Sequence, residues 1–202
     1  MANDTEKAIL NTARKHFIQN GYAGARMQDI ADDAGINKAM LHYYYRSKEK
    51  LYQEILGETL DQVVPIFAGA LAHTGTFWEK LEKLVETYME VLLAQPEIPS
   101  FMMSELSQKR ERFVEELKKR GTFFPAVQSF LMVAMEEMEA GRIREIAPVH
   151  LFLNILGMTV FPFVAKPVFT TIMNVSESDF EVLMLQRKEV ILNFLRAALK
   201  PD

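Results

Sequence analysis

Apolar residues recur at helical spacing along nearly the whole chain, and no stretch alternates apolar and polar residues as a half-buried strand does. Glycines, prolines and cap-forming residues divide this pattern into segments of helical length. The pattern therefore predicts an all-α fold. The predicted helices are one that ends at residue 20, then residues 27–34, a short helix after Asn37, residues 48–72, 76–95, 100–120, 123–140 and 148–165, and a last helix that starts at Ser176 or Ser178.

Individual residues indicate how several of these helices begin and bend. Asn37 and Ser47 have side chains that cap helix N-termini, so they are expected to start the third and fourth helices. Pro148 suits the first turn of a helix. Pro65 and Pro162 stand inside predicted helices, where they predict kinks.

A short segment near the N-terminus has the pattern of a helix-turn-helix. This motif needs two short helices and a tight turn with a residue that can adopt positive φ. Gly35 supplies that turn, Ile36 returns to the core, and Leu41 and Tyr45 form the buried side of the second helix. Tyrosine hydroxyls, lysines and helix N-terminal amides all bond to phosphate oxygens, so the outward side predicts a DNA-reading head. The residues left on that side are Lys38, Ala39, Met40, His42, Tyr43 and Tyr44.

This segment resembles the TetR family of one-component repressors. Residues 35–51, GINKAMLHYYYRSKEKL, are similar to the family's recognition helix and the start of its fourth helix. His42 departs from the pattern where Tyr is common, and Arg26 departs where the family often has a Thr or Ser cap. The resemblance implies a three-helix DNA-binding head, residues 1–47, and a larger helical effector-binding and dimerisation body, residues 48–202. Upstream, small, aromatic or turn residues also fit the pattern at Ala13, Phe17, Gly21, Tyr22, Met27, Ile30 and Ala31.

The resemblance also implies roles for single residues on double-stranded DNA. By matched position, Lys38, Ala39 and Met40 are expected to approach base edges. Because Ala39 and Met40 offer no side-chain hydrogen bond, thymine methyl contacts and DNA shape are expected to contribute to specificity. Solvated surface positions are the alternative for Lys38 and His42, and core packing is the alternative for the tyrosines, above all Tyr45. The residues expected to hold phosphates are Gln28, His42, Tyr43, Tyr44 and Lys48.

The last two long helices are apolar over most of their circumference, as Leu151, Phe152, Ile191 and Phe194 illustrate. Such a helix is either central or placed at a subunit interface. The resemblance implies the second arrangement, a homodimer in which these helices form a four-helix bundle and two heads meet the half-sites of a palindromic operator. A C-terminal helix that is merely buried within one subunit is the alternative.

The resemblance further implies a pocket in the body for a small apolar or aromatic effector. The body is rich in Met and Phe, which fill cores but can also repack around varied guests. Core packing is therefore the alternative for each candidate, and a satisfied buried pair is the alternative for His150 and Asn154. The candidate ligand-binding residues are Tyr88, Met89, Phe101, Phe124, His150, Asn154 and Met158.

Charge and composition narrow the picture further. The chain carries a net charge of −4, but residues 1–50 hold eight Lys or Arg and six Asp or Glu, a net charge of +2. A mildly basic head on an acidic body suits a DNA binder, because only the contacting face must attract phosphate. The absence of cysteine excludes disulfides, zinc–thiolate sites and thiol catalysis.

The sequence contains no H-E-x-x-H or G-x-S-x-G motif and no phosphate-binding glycine loop. We therefore expect a cytoplasmic, non-enzymatic regulator without cofactor or metal. The polar N-terminus does not read as a secretory signal, and the longest apolar stretch, residues 149–165, contains polar residues and breakers that argue against a membrane span. Two other functions remain open: a DNA-binding dimer under architectural or protein-partner control without an effector, and a helical module that has lost DNA binding.

Overall fold

The computed structural model describes residues 2–201, which form α helices and contain no strand. The all-α prediction is confirmed. The helices are α1 (Ala2–Gly24), α2 (Met27–Asp33), α3 (Lys38–Tyr44), α4 (Lys48–Leu71), α5 (Phe77–Ala94), α6 (Ile98–Gln108), α7 (Arg110–Lys119), α8 (Phe123–Glu139), α9 (Pro148–Val164), α10 (Lys166–Ile172) and α11 (Glu177–Ala198).

Two features of this helix order differ from the prediction. Residues 100–120 were expected to form one helix, but α6 and α7 are separated at Lys109. No glycine or proline marks this break in the sequence. The backbone remains hydrogen-bonded on both sides of Lys109. The second difference is α10, which follows α9 at a bend of 57°. Pro167 has no N–H to continue the hydrogen bonding of α9, and it therefore starts a new helix.

The predicted turn at Gly35 and the caps at Asn37 and Ser47 are confirmed, but the prediction that the first helix ends at residue 20 is wrong, because α1 extends to Gly24. Gly21 has φ 64° and interrupts α1 one residue after Asn20, although helical conformation resumes as far as Gly24. Gly35 has φ 69°, a conformation that L side chains rarely adopt, and it makes the turn between α2 and α3. The Asn37 side chain accepts a hydrogen bond from the Met40 N–H at 2.8 Å, and Ser47 Oγ accepts one from the Lys50 N–H at 3.2 Å.

The chain forms two compact units. The first comprises the residues up to Gln62 together with Ser100–Glu116, and the second comprises Val63–Pro99 together with the residues from Leu117 onward. In the first unit α2 packs against both α1 and α3. Its core is apolar, and its fully buried side chains include Ile9, Phe17, Ile30, Leu41, Leu51 and Ile55.

In the second unit α5 is the central helix and packs against α8, α9 and α11. The Thr76 side chain caps α5, and a reciprocal hydrogen bond from the Thr76 N–H to the Glu79 carboxylate completes a capping box. Within the described part of the chain no single helix is long and apolar enough to cross a membrane, although the bent pair α9–α10 reaches the required length and hydropathy together.

Candidate functional site

The helix-turn-helix is assembled from α2, the turn at Gly35 and α3. Ile30 and Ala31 on α2 and Leu41 on α3 are fully buried, which holds the two helices together through apolar contact. Tyr45 directly follows α3 and is also buried, and its hydroxyl donates a hydrogen bond to Glu6 at 3.4 Å. Burial, and then the negative charge of Glu6, raises the pKa of Tyr45. These contacts fix the inner side of α3 against the rest of the first unit.

The outer side of α3 carries the residues that the sequence assigned to DNA. Lys38, Ala39, Met40 and His42 are exposed. Tyr43 is 83% exposed, and its ring contacts the edge of the half-buried Tyr44 ring with 5.7 Å between centroids. An aromatic side chain this exposed contributes little to the core, so the hydroxyl is accessible to a partner outside the chain.

Three of the predicted phosphate-binding residues, Gln28, His42 and Lys48, have side-chain hydrogen-bond partners within the protein. His42 Nδ1 lies 3.4 Å from the Arg46 carbonyl oxygen. The exposed Gln28 amide donates a hydrogen bond to Asp32 one turn later on α2, at 2.8 Å. The Lys48 ammonium donates to the Ala23 carbonyl at 3.2 Å and lies 4.7 Å from the centre of the Tyr22 ring. Partial burial lowers the pKa of Lys48. Its neighbours are a carbonyl and an aromatic face, both of which leave the positive charge of Lys48 uncompensated.

The next residue, Glu49, belongs to a group of charged side chains that sequence reasoning missed. Its carboxylate accepts hydrogen bonds from the Lys109 ammonium at 2.8 and 2.9 Å and from the Arg112 guanidinium. Arg112 also donates to Glu105, with Nε 2.7 Å from the carboxylate, and Glu105 is only 2% exposed. We call Glu49, Glu105, Lys109 and Arg112 the charge cluster. Glu49 lies about sixty residues from the other three members along the chain, so no local pattern could have revealed the cluster.

Aromatic rings surround the charge cluster. The Tyr52 ring lies under the Arg112 guanidinium, 5.5 Å from it, and the Tyr22 ring lies 4.8 Å from the Lys109 ammonium. Burial opposes ionisation of Glu49, but hydrogen bonds from Lys109 and Tyr22 together with the charge of Arg112 hold its pKa below the ordinary value. Burial and a hydrogen bond to Glu105 raise the pKa of the Tyr52 phenol. Glu49 is therefore an anion whose charge is neutralised in place.

The candidate effector residues are not brought together in one place. Phe101 is in the first unit, where its ring packs against Tyr52 with 5.5 Å between centroids. The others are in the second unit, where Tyr88 and Met89 are buried and Phe124 is 40% exposed. His150 and Asn154 are both exposed, so they are not a buried pair; α9 buries the opposite side, which carries Leu151, Ile155 and Thr159.

Tyr88 is the candidate with the most unusual surroundings. Its ring stacks on Phe67 with 4.3 Å between centroids, and its pKa is raised by burial alone. Its hydroxyl has no hydrogen-bond partner among the residues that the structure describes, whereas Tyr22, Tyr45 and Tyr52 each have a glutamate partner. A tyrosine hydroxyl without a protein partner is available to donate a hydrogen bond to a guest.

Helices α9, α10 and α11 expose a wide apolar face. Phe161, Leu185 and Phe194 are each at least 60% exposed. A groove of about 510 Å³ runs along this face, and Met158 lies between it and a neighbouring groove of about 460 Å³ that Asn154 also lines. No group of three or more His, Asp or Glu side chains in residues 2–201 is arranged to hold a metal ion.

A fixed helix-turn-helix with an accessible, basic and aromatic second helix defines a DNA-binding protein of the regulator class. The profile described as bacterial regulatory proteins, tetR family, matches residues 9–55. A second profile, described as Tetracyclin repressor-like, C-terminal domain, matches residues 78–191, more than half of the chain. The chain belongs to the TetR family of DNA-binding transcriptional regulators, which confirms the resemblance found in the sequence.

Individual relatives share parts of the sequence, and solved structures share the fold. The transcriptional regulator RutR of Escherichia coli K12 is 46% identical over 56 residues, 28% of this chain and 26% of RutR. The transcriptional repressor KstR2 of Mycolicibacterium smegmatis is 28% identical over 118 residues, 52% of this chain and 58% of KstR2. The chain thus matches less than two thirds of the length of either relative.

Two solved structures extend the comparison to the whole chain. AibR, solved in complex with isovaleryl coenzyme A and operator DNA, has a TM-score of 0.73 at 18% identity and covers 98% of this chain and 100% of its own. FadR of Bacillus subtilis, solved with stearoyl-CoA, has a TM-score of 0.61 at 18% identity and covers 93% and 97%. At this identity the two structures establish a shared fold.

Proposed function

We propose that this chain is a homodimeric transcriptional repressor that leaves a palindromic operator when a small, largely apolar effector binds. The observation that carries the DNA-binding part is the outer side of α3, where Tyr43 is 83% exposed beside exposed lysine and histidine side chains. Lys38, Ala39 and Met40 approach base edges. Gln28, His42, Tyr43, Tyr44 and Lys48 hold phosphates, and Lys48 exchanges the Ala23 carbonyl for a phosphate oxygen on binding.

The apolar face of α9–α11 supports the homodimer. Large exposed apolar patches on a folded chain mark interaction sites, and this one carries Phe161, Leu185 and Phe194. A second copy is the occupant we propose, because a two-fold axis through this face pairs two heads with the two half-sites of a palindrome. Burial of one face by the other removes from water the side chains that the single chain leaves exposed.

Tyr88 and Met89 support an effector site inside the second unit. The unpaired Tyr88 hydroxyl can donate to an acceptor oxygen on a guest, and the buried Met89 and the stacked Phe67 favour an apolar guest. AibR and FadR share the fold and were solved with acyl-CoA thioesters, which combine a carbonyl oxygen with an apolar acyl chain. Acyl-CoA thioesters are therefore the first class of effector to test, with Phe124, His150, Asn154 and Met158 as lower-ranked contacts. Phe101 lies in the first unit and is not part of this proposed site.

The proposed control is a shift between two states. Helix α4 begins at Lys48 beside the head and ends in the second unit, so a guest in that unit can change where Lys48 lies. The effector must bind the released state better than the DNA-competent state, because a ligand with equal affinity for both shifts nothing.

The test is the binding of the full chain to a fluorescent duplex that carries a palindrome from the region upstream of its own gene. Affinity should fall by orders of magnitude between low and moderate salt, because bound phosphates release counterions. A series of acyl-CoA thioesters of increasing chain length is then added to the complex. Release by some members supports the effector proposal, and failure of the whole series favours control by a protein partner instead. Binding that does not depend on salt would contradict the DNA-binding proposal.

A further inference from the structure

The first turn of α4 holds two opposite charges side by side, and they have different surroundings. Lys48 contacts the Ala23 carbonyl and the Tyr22 ring, so its positive charge is not compensated by these neighbours. Glu49 contacts Lys109 and Arg112, so its negative charge is neutralised. Without those two cations, the positive charge offered to DNA at this helix start would be cancelled by its neighbour in the sequence.

The Glu49 carboxylate is close enough to the Lys48 ammonium to affect a phosphate that binds there. The ammonium groups of Lys48 and Lys109 lie 4.7 and 4.8 Å from the centre of the same Tyr22 ring, and Lys109 lies 2.8 Å from the Glu49 carboxylate. By the triangle inequality, that carboxylate is at most about 12 Å from the Lys48 ammonium, roughly one Debye length at 0.1 M salt. At low and moderate salt, an unpaired negative charge on Glu49 would therefore repel a phosphate bound at Lys48.

The cations that neutralise Glu49 are held firmly in place. Arg112 bridges Glu49 and Glu105, and Glu105 is almost completely buried. The Tyr52 ring supports the Arg112 guanidinium from below. Lys109 and Arg112 lie within the 78–191 stretch matched by the family's C-terminal profile, not within the 9–55 stretch matched by the DNA-binding profile.

We propose that Lys109 and Arg112 are charge-compensating residues for DNA binding: they neutralise Glu49, so that the start of α4 presents a net positive charge to a DNA phosphate. This inference rests on the proposed phosphate contact of Lys48. It makes the affinity of the head depend on a segment outside residues 1–47. The two cations act through Glu49 and do not themselves touch the DNA.

The test compares two neighbouring substitutions that remove the same charge. Lys109→Gln removes a partner of Glu49, whereas Arg110→Gln removes an exposed cation on the same segment that does not contact Glu49. The full-length variants are titrated against a duplex of arbitrary sequence at several salt concentrations. Coulomb's law at about 12 Å, with an effective dielectric constant between about 20 and 80, gives a roughly two- to tenfold loss of affinity per head for full exposure of the Glu49 charge.

The loss in Lys109→Gln should exceed that in Arg110→Gln and should shrink as salt rises. The double variant Lys109→Gln/Glu49→Gln should regain the parental affinity, because the uncompensated carboxylate is gone. Lys109→Glu, which places a second carboxylate beside Glu49, should lose more than Lys109→Gln, and thermal melting verifies that each variant is folded. Equal losses in the two single variants, or no recovery in the double variant, would overturn the inference alone. A parent chain without salt-dependent binding would overturn the proposed function as well.

Discussion

The exposed hydroxyl of Tyr43 offers the sharpest test of the DNA-binding surface. Tyr43→Phe removes one oxygen from a side chain that is 83% exposed and whose described contact is a ring contact with Tyr44. The free energy of unfolding should therefore change by less than about 0.5 kcal/mol, as for other surface substitutions. Any loss of DNA affinity then reports on a contact with the DNA and not on the fold.

The expected loss follows from one hydrogen bond per head. A solvent-accessible hydrogen bond contributes about 1 kcal/mol, which corresponds to roughly fivefold in affinity for one head and about thirtyfold for a dimer that loses two. Because the tyrosine is neutral, its removal releases no additional counterion, and the slope of log affinity against log salt should not change.

The assay is fluorescence anisotropy with two duplexes, the upstream palindrome and a scrambled version of it. Both should lose affinity by the same factor, because a phosphate contact carries no sequence information. Tyr45→Phe is the matched control: the same atom is removed two residues away, but Tyr45 is buried and its hydroxyl bonds to Glu6, so stability and not affinity should respond. A loss confined to the palindrome would refute the phosphate assignment and place Tyr43 at a base edge.

Three further predictions concern stability and assembly. Leu41→Ala, at a position with 0% exposure, should lower the free energy of unfolding by about 2–5 kcal/mol, measured by denaturant titration; a loss below 1 kcal/mol would mean that α3 is not anchored through this residue. Phe194→Glu should shift the chain from dimer to monomer in sedimentation velocity, because it places a charge on the apolar face of α9–α11, and an unchanged dimer would exclude that part of the face from the interface. Hydrogen bonds from Lys188 and Lys83 hold the pKa of Glu86 below its ordinary value of 4.5. The stability lost in Glu86→Gln should therefore be measurable at neutral pH, should decline as the pH falls below about 4.5, and should vanish once the pH is below the lowered pKa. A difference that persists in strong acid would contradict the ion pairs.

The DNA-binding motif could be predicted because each of its signals is local. A glycine that must adopt positive φ, a side chain that caps the next helix and two apolar residues one turn apart are all read within about ten residues. Gly35, Asn37, Leu41 and Tyr45 behave in the structure as the sequence indicates. The TetR resemblance depends on the same compact stretch, which is why it was visible without any structure.

The effector site was harder to predict because Met and Phe fill cores and pockets alike. His150 and Asn154 share a helical side with apolar neighbours in the sequence, yet α9 buries its other side. Phe101 was predicted to line the pocket with the other candidate ligand-binding residues, but its ring packs on Tyr52 in the first unit. Which side of an apolar helix is buried depends on the helices that pack against it, and periodicity alone does not identify them.

By itself, the sequence determined the fold class, the helix-turn-helix and the family, because hydrophobic period, caps and turns act between residues close together in the chain. Only the tertiary structure decided which charges are compensated. Glu49 meets Lys109 and Arg112 across about sixty residues, and Lys48 is left beside a carbonyl and an aromatic ring. Electrostatic interactions depend on distance in space and on burial, so the charge that the head presents to DNA is set by packing and not by the local count of lysines and glutamates.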